Sequence, residues 1–270
     1  MNYATSSFLL LQNEGFLMQN CLKSSLAALR EWRIEDKGAF YGAFLGFTIG
    51  LERLLKILIL LDSWCRDRKF LTDSELKVYC HNLEKLHESV YVLFQQHGVV
   101  RGKHLEADEI DKLLLQFLSS FAQRNRYYNL YTLTKDGAID PLGEWEDLLR
   151  KIYETDVPED NHLQEPDENC ILADHVEGNA CVKLTRTGST LQTQTEHDHD
   201  QRIMAIALPE MCWRLVKILA PLQALLIAIQ EKIRKADHDG DGEASVPFME
   251  EFLEFVCEDK SVILESEDWP

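Results

Sequence analysis

The stretch FYGAFLGFTIGLERLLKILILL, residues 40–61, does most to limit what this chain can become. Apolar residues fall on nearly every face of a 3.6-residue repeat. That predicts a helix over 38–66 needing cover on all sides. Glu52, Arg53 and Lys56 interrupt the run in its middle, unlike a bilayer span. A second apolar run, VKILAPLQALLIAI, is too short to span one. Both read as buried core helices, and no membrane partner is expected. Cover for the central helix has to come from a helix over 209–236 or from a second subunit.

The remaining periodicity is helical too. Apolar positions from Phe8 to Leu29 predict a helix over 6–33. Thr72 or Asp73 is a capping candidate for a third helix, running to Gln96 with Leu83, Leu86, Val90 and Leu93 as its stripe. A fourth begins near Leu105, with acids in its first turn, and ends in FAQRNRYYNLY (121–131). Glu144 to Tyr153 is a short amphipathic piece. Periodicity then fails from 156 to 201, where CILADHV and ACVKLTRT, separated by EGN, are candidates for a hairpin. Pro209 is read as the start of a long helix to Ala236, with Pro221 as a kink or break. A last helix is expected over Phe248–Cys257. The expected architecture is all-α with one irregular insertion. It divides into a helical core (1–155), an acidic insertion (156–201), C-terminal helices completing the bundle (202–257) and an acidic tail (258–270).

Charge sharpens that division. The net charge is −18, with about −13 over 136–200, about −11 over 237–270, and about +6 elsewhere. The helical body is mildly basic and is able to meet a phosphate locally, although the whole surface is not a nucleic-acid binder. Seven scattered cysteines without a CxxC pair read as reduced thiols. With no basic leader segment and cleavage site at the start, they point to the cytoplasm.

Several constellations carry candidate chemistry. Glu52 and Lys56 stand four apart on one helix face, as an exposed pair or, if buried, as part of a site. His81, in CHNLEKLHESV, is a core histidine or an acid/base group. In the RNRYYN segment, Arg124, Asn125, Arg126, Tyr127 and Tyr128 make either a phosphate grip or a helix end anchored by aromatic packing. In DHDGDGE, Asp237, Asp239 and Asp241 occupy positions 1, 3 and 5 of a calcium loop, but position 12 is Phe248. Calcium would need an expanded loop closed by Glu250; otherwise the segment is an Asp- and Gly-rich turn and no cofactor is expected. Cys170, His175, Cys181, His197 and His199 lack zinc-finger spacing.

Taken in order, GLERLLKI (50–57), CHNLEKL (80–86) and RNRYYNL (124–130) resemble the HEPN superfamily of helical domains, as VPFMEEFLEF (246–255) resembles the closing helix of some members. Where such members carry Gly-His-Asp-Leu, Cys80 and Asn82 replace the first and third residues. The resemblance implies an antiparallel helical bundle, a homodimer, and a place in a bacterial antiviral defence or toxin–antitoxin-type system. Many members are metal-independent ribonucleases whose signature is Arg, then four to six intervening residues, then His, usually with a polar residue directly after the Arg. Arg124 and Asn125 match its start, and Asn129 stands where the four-residue spacing puts the His. Asn exchanges no proton near neutral pH. The resemblance therefore implies binding of RNA, a nucleotide or a protein partner, with cleavage weak or absent unless His81 substitutes. Its alternatives are an active ribonuclease and a calcium-responsive interaction protein.

Overall fold

In the computed structural model, residues 6–99, 108–134, 139–185, 188–239, 244–256 and 259–265 are described. The central apolar run forms α2 (Lys37–Asp67). The Asp36 carboxylate caps its start by accepting from the Ala39 N–H at 2.8 Å. Arg68 ends it in a left-handed conformation, φ 51°, donating its N–H to Trp64 O. The chain itself covers this helix: α1 (Ser6–Arg30), α4 (Leu83–His97), α5 (Glu109–Gln123) and α9 (Gln194–Asp239) pack around it. Burial of α2 thus gives no reason to invoke a second subunit.

Glycine sets the approach of α1 to α2. A Cβ on Gly50 would lie 2.7 Å from Leu22 Cγ, and one on Gly46 would fall 2.4 Å from Ser25 Oγ. On the other side of α2, Phe40 and Phe44 enter an aromatic cluster with Phe117 and Phe121 of α5 and Trp145 of α7 (Pro141–Asp156); the Phe44 and Trp145 centroids are 4.5 Å apart. Edge-to-face packing of that kind adds to what area burial alone supplies.

Charges tie the outer helices together. Buried Arg214 of α9 donates to Asp111 at 2.6 Å, to Asp108 at 2.8 Å and to Asp156 at 2.5 Å, while Lys217 reaches Asp111 at 2.6 Å. Asp108 also caps α5 through the Asp111 N–H. Elsewhere Asp62 of α2 lies 2.8 Å from His97 Nε2, and Lys232 of α9 lies 3.1 Å from His97 Nδ1. An ammonium can only donate, so Nδ1 accepts and the proton sits on Nε2, facing the carboxylate.

The fold is all-α, with one two-stranded hairpin among the described residues, but four expected elements are redrawn. The helix expected over 72–96 is two. The Thr72–Glu75 capping box starts α3 (Asp73–Lys77), the chain turns at 78–82 with Cys80 at φ 48°, and Asn82 caps α4. The expected hairpin partners are also wrong. CILADHV is helical, within α8 (Glu168–Glu177), between the Asp167 cap and left-handed Gly178, φ 76°. The hairpin pairs β1 (Ala180–Thr185) with β2 (Gly188–Thr193), register Val182 to Leu191.

Pro209 begins no helix, for α9 starts fifteen residues earlier and runs through both prolines. The carbonyls deprived of a donor are those of exposed Ala205 and half-buried Lys217, where water can replace the bond. In place of a helix over 248–257 come a 3-10 turn at Met249–Leu253 and, beyond it, α10 (Lys260–Glu265). The latter docks on α9 through buried Ile263 and a Lys260–Glu210 ion pair at 2.8 Å. α9 is long and apolar enough to cross a membrane, and most of its apolar window is buried inside the fold.

Candidate functional site

The turn between α3 and α4 brings sequence-distant charges onto α2. Lys56 Nζ lies 2.6 Å from Glu52 Oε1 and donates to Cys80 O at 3.1 Å. The other carboxylate oxygen of Glu52 is 2.9 Å from His81 Nδ1. Lys56 thus holds the carbonyl of left-handed Cys80 and Glu52 holds the imidazole of the next residue, which fixes the turn at two successive positions. A carboxylate at Nδ1 draws a proton there, leaving Nε2 of the exposed His81 ring to accept one from outside.

These groups line a cleft of about 510 Å³ whose other walls come from α1 and from the 3-10 turn Asn125–Tyr127 after α5. Arg53, paired with Glu14 of α1, lines it as well. Arg126 reaches it from the far side. Its guanidinium lies 5.0 Å from the Tyr127 ring centroid, its Nε is buried without a hydrogen-bond partner, and it makes no ion pair among the described residues. Arg53 and Lys56 are each matched by a glutamate, so among the described residues Arg126 leaves the cleft with one unmatched positive charge. Such a cleft can hold an anion through a guanidinium fork and an ammonium, with an imidazole nearby.

Four sequence candidates are therefore brought together: Glu52, Lys56, His81 and Arg126. Others stand apart. Arg124 is exposed, its backbone φ is −139°, and it does not line the cleft. Of the two arginines, Arg126 is the one the 3-10 turn directs inward. Asn125 donates to Glu144 Oε2 at 3.0 Å, a tie to α7. Asn129 is exposed on α6 (Tyr128–Thr134), outside the cleft. Tyr127 is exposed, its ring edge-on to Tyr131. Half-buried Tyr128 lies near Tyr41, whose hydroxyl is pushed up to about 12 by burial, by Asp140 and by Tyr128. Sequence reasoning missed Arg53, for which the Glu-Arg pair at 52–53 was the available signal.

The acidic loop is engaged differently. Asp237 accepts from Arg68 at 2.7 Å with one oxygen, and from the Ser245 N–H and hydroxyl at 2.9 and 2.7 Å with the other. Burial pushes its carboxyl up, but the bonds from Ser245 and Arg68 outweigh this and hold it below the usual range. Trp64 Nε1 donates to Ser245 Oγ at 2.9 Å, completing a clasp across the loop. Glu250 is bonded to Arg234 and Gln230. Asp239 is exposed at the end of α9, and Asp241 lies outside the described residues. Among the described residues no three metal-ligating side chains cluster, whether in this loop or in the cysteine- and histidine-bearing insertion.

No family model matches this chain, and neither a curated protein nor a solved structure does.

Proposed function

We infer that this chain is a HEPN-like module that binds RNA or a nucleotide by a phosphate group in the cleft between α1, α2 and the turn after α5, with ribonuclease activity weak or absent. The observation that carries this reading is Arg126, a cation without a carboxylate partner among the described residues, facing the same cleft as Lys56. The family and its bacterial defence or toxin–antitoxin setting rest on the sequence resemblance. A homodimer belongs to the same reading, and apolar Leu10, Phe16 and Leu17, exposed on α1, support a contact between copies. The test is equilibrium binding of adenosine monophosphate and of a short RNA oligonucleotide. The native chain binds at least one, and Arg126→Ala weakens it about tenfold, the usual scale for one charged hydrogen bond. No binding of either at millimolar concentration overturns the reading.

One observation favours a second reading, an active metal-independent ribonuclease: His81 lines the same cleft as Arg126, with Nε2 open to accept a proton. Brisk cleavage of RNA in the presence of a chelator, lost in His81→Ala, would establish it in place of the first.

A further inference from the structure

The insertion between α7 and α9 leaves apolar side chains open to water. Val182 and Leu191 face each other across the β1–β2 ladder, and each is 69% exposed. On α8, Leu172 and Val176, one turn apart, are 62% and 81% exposed. Neither strand has a second β neighbour among the described residues. Each therefore keeps one edge with no strand on it, although at the end of β2 the Thr193 N–H already bonds Glu196 at 2.8 Å. A two-stranded ribbon is marginal in water by itself, and such an edge is a template for another strand.

The surroundings are acidic. Residues 156–201 hold eleven Asp and Glu against two Lys and Arg. A cleft of about 850 Å³ lies among α7, α8, β2 and the start of α9. Glu154, Glu165 and Glu168 line it with no ion-pair partner among the described residues. So does Gln192 of β2, whose Oε1 is buried with no donor. Leu191 and Gln192 are successive residues of one strand, so they point to opposite faces: one into the exposed apolar pair, the other into the acidic cleft.

We propose that the α8–hairpin insertion is the docking surface for a basic polypeptide segment of a partner protein. The segment adds as a strand beside the hairpin, covers Val182 and Leu191, and delivers lysine or arginine side chains to Glu154, Glu165 and Glu168. Charge selects this occupant. A phosphate backbone is repelled by this face, and a second copy of the chain would bring the same negative charge against itself. Strand addition supplies affinity through main-chain bonds, while alternate side chains supply specificity.

The probe is a synthetic peptide of alternating valine and lysine, compared with its valine–glutamate counterpart, titrated into the full chain by calorimetry. The lysine peptide binds and the glutamate peptide does not. The double variant V182S/L191S weakens binding about tenfold, and N-methylation of alternate peptide amides does the same. E165Q/E168Q lowers affinity and flattens its dependence on salt. All these side chains are at the surface, and circular dichroism checks that the variants are folded. Equal binding of both peptides, no binding of the lysine peptide at millimolar concentration, or affinity indifferent to both variant pairs overturns the proposal. So does self-association in sedimentation that V182S/L191S abolishes, which would make a second copy the occupant. Arg126→Ala leaves peptide binding unchanged, which separates this surface from the phosphate cleft.

Discussion

Glu52 Oε2 and His81 Nδ1 lie 2.9 Å apart although 29 positions separate them in sequence, and this contact fastens the α3–α4 turn to the central helix. The same carboxylate neutralises Lys56. Glu52 thus stabilises the fold while it competes with any anion for the cleft's cations. Glu52→Gln is expected to lower stability by about 1 kcal/mol, since the network is partly solvated, and to raise affinity for adenosine monophosphate several-fold. Urea denaturation and calorimetry measure the two effects, whose opposite signs separate a site residue from a merely structural one.

Two glycines of one helix are expected to respond in opposite directions. Gly50→Ala drives a methyl group into Leu22 and is expected to cost about 1–3 kcal/mol through overpacking. Gly42 is exposed, and a Cβ there meets nothing within 4 Å, so Gly42→Ala is expected to stabilise by about 0.5–1 kcal/mol. Thermal and urea unfolding of the pair provide the comparison.

Arg214 holds three carboxylates from α5, its cap and the end of α7. Arg214→Met would leave Asp111 buried with only Lys217, and is expected to cost about 3–5 kcal/mol. Restoration of stability by the further change Asp111→Leu would show that the loss comes from an orphaned charge rather than from a cavity. Urea denaturation of the single and double variants decides this.

The pH dependence of stability follows from groups shifted in both directions. In Asp62, burial raises the carboxyl but the bonds from His97 and Arg66 outweigh it; in Asp108, burial is likewise outweighed by Arg214. Both titrate below their unfolded value of about 3.9, so their contribution is complete above it and is lost as pH falls further, when the unfolded chain takes up protons first. On the alkaline side, burial pushes the Cys212 thiol up to about 12, whereas an unfolded thiol ionises near about 8.5. Stability is therefore expected to decline from about pH 8.5 upward as well as below about pH 4. Urea midpoints across pH would show both limbs. A flat acid limb would contradict the carboxylate assignments.

Asp237 is expected to act as a clasp. Asp237→Ala releases Arg68 and Ser245 and is expected to lower the melting temperature by a few degrees, equally with and without millimolar calcium. A calcium-dependent rise in the native melting temperature, absent in the variant, would make it a ligand instead.

The sequence made the helical elements legible where local signals agreed with burial. The central helix, the Thr72 cap and the amphipathic α7 all follow from periodicity and capping. It misled where a local rule was overridden. Pro209 reads as a helix start, but its lost bond falls beside an exposed residue and the helix continues through it. Cys80 carries no mark of a left-handed turn, since neither glycine nor asparagine occupies that position. At the site, Glu52, Lys56 and His81 were legible as residues, but their union depends on that turn. Which of Arg124 and Arg126 enters the cleft is decided by the backbone at Arg124, which no spacing rule reports.

The most direct test of the phosphate cleft is side-chain NMR of the histidines while adenosine monophosphate is added to the full chain. His81 is expected to shift saturably, with His162 and His199 of the insertion unmoved, and the shift is expected to disappear in Arg126→Ala. Shifts confined to the insertion histidines, or a His81 response unchanged in Arg126→Ala, would contradict the placement of the anion between Arg126 and Lys56.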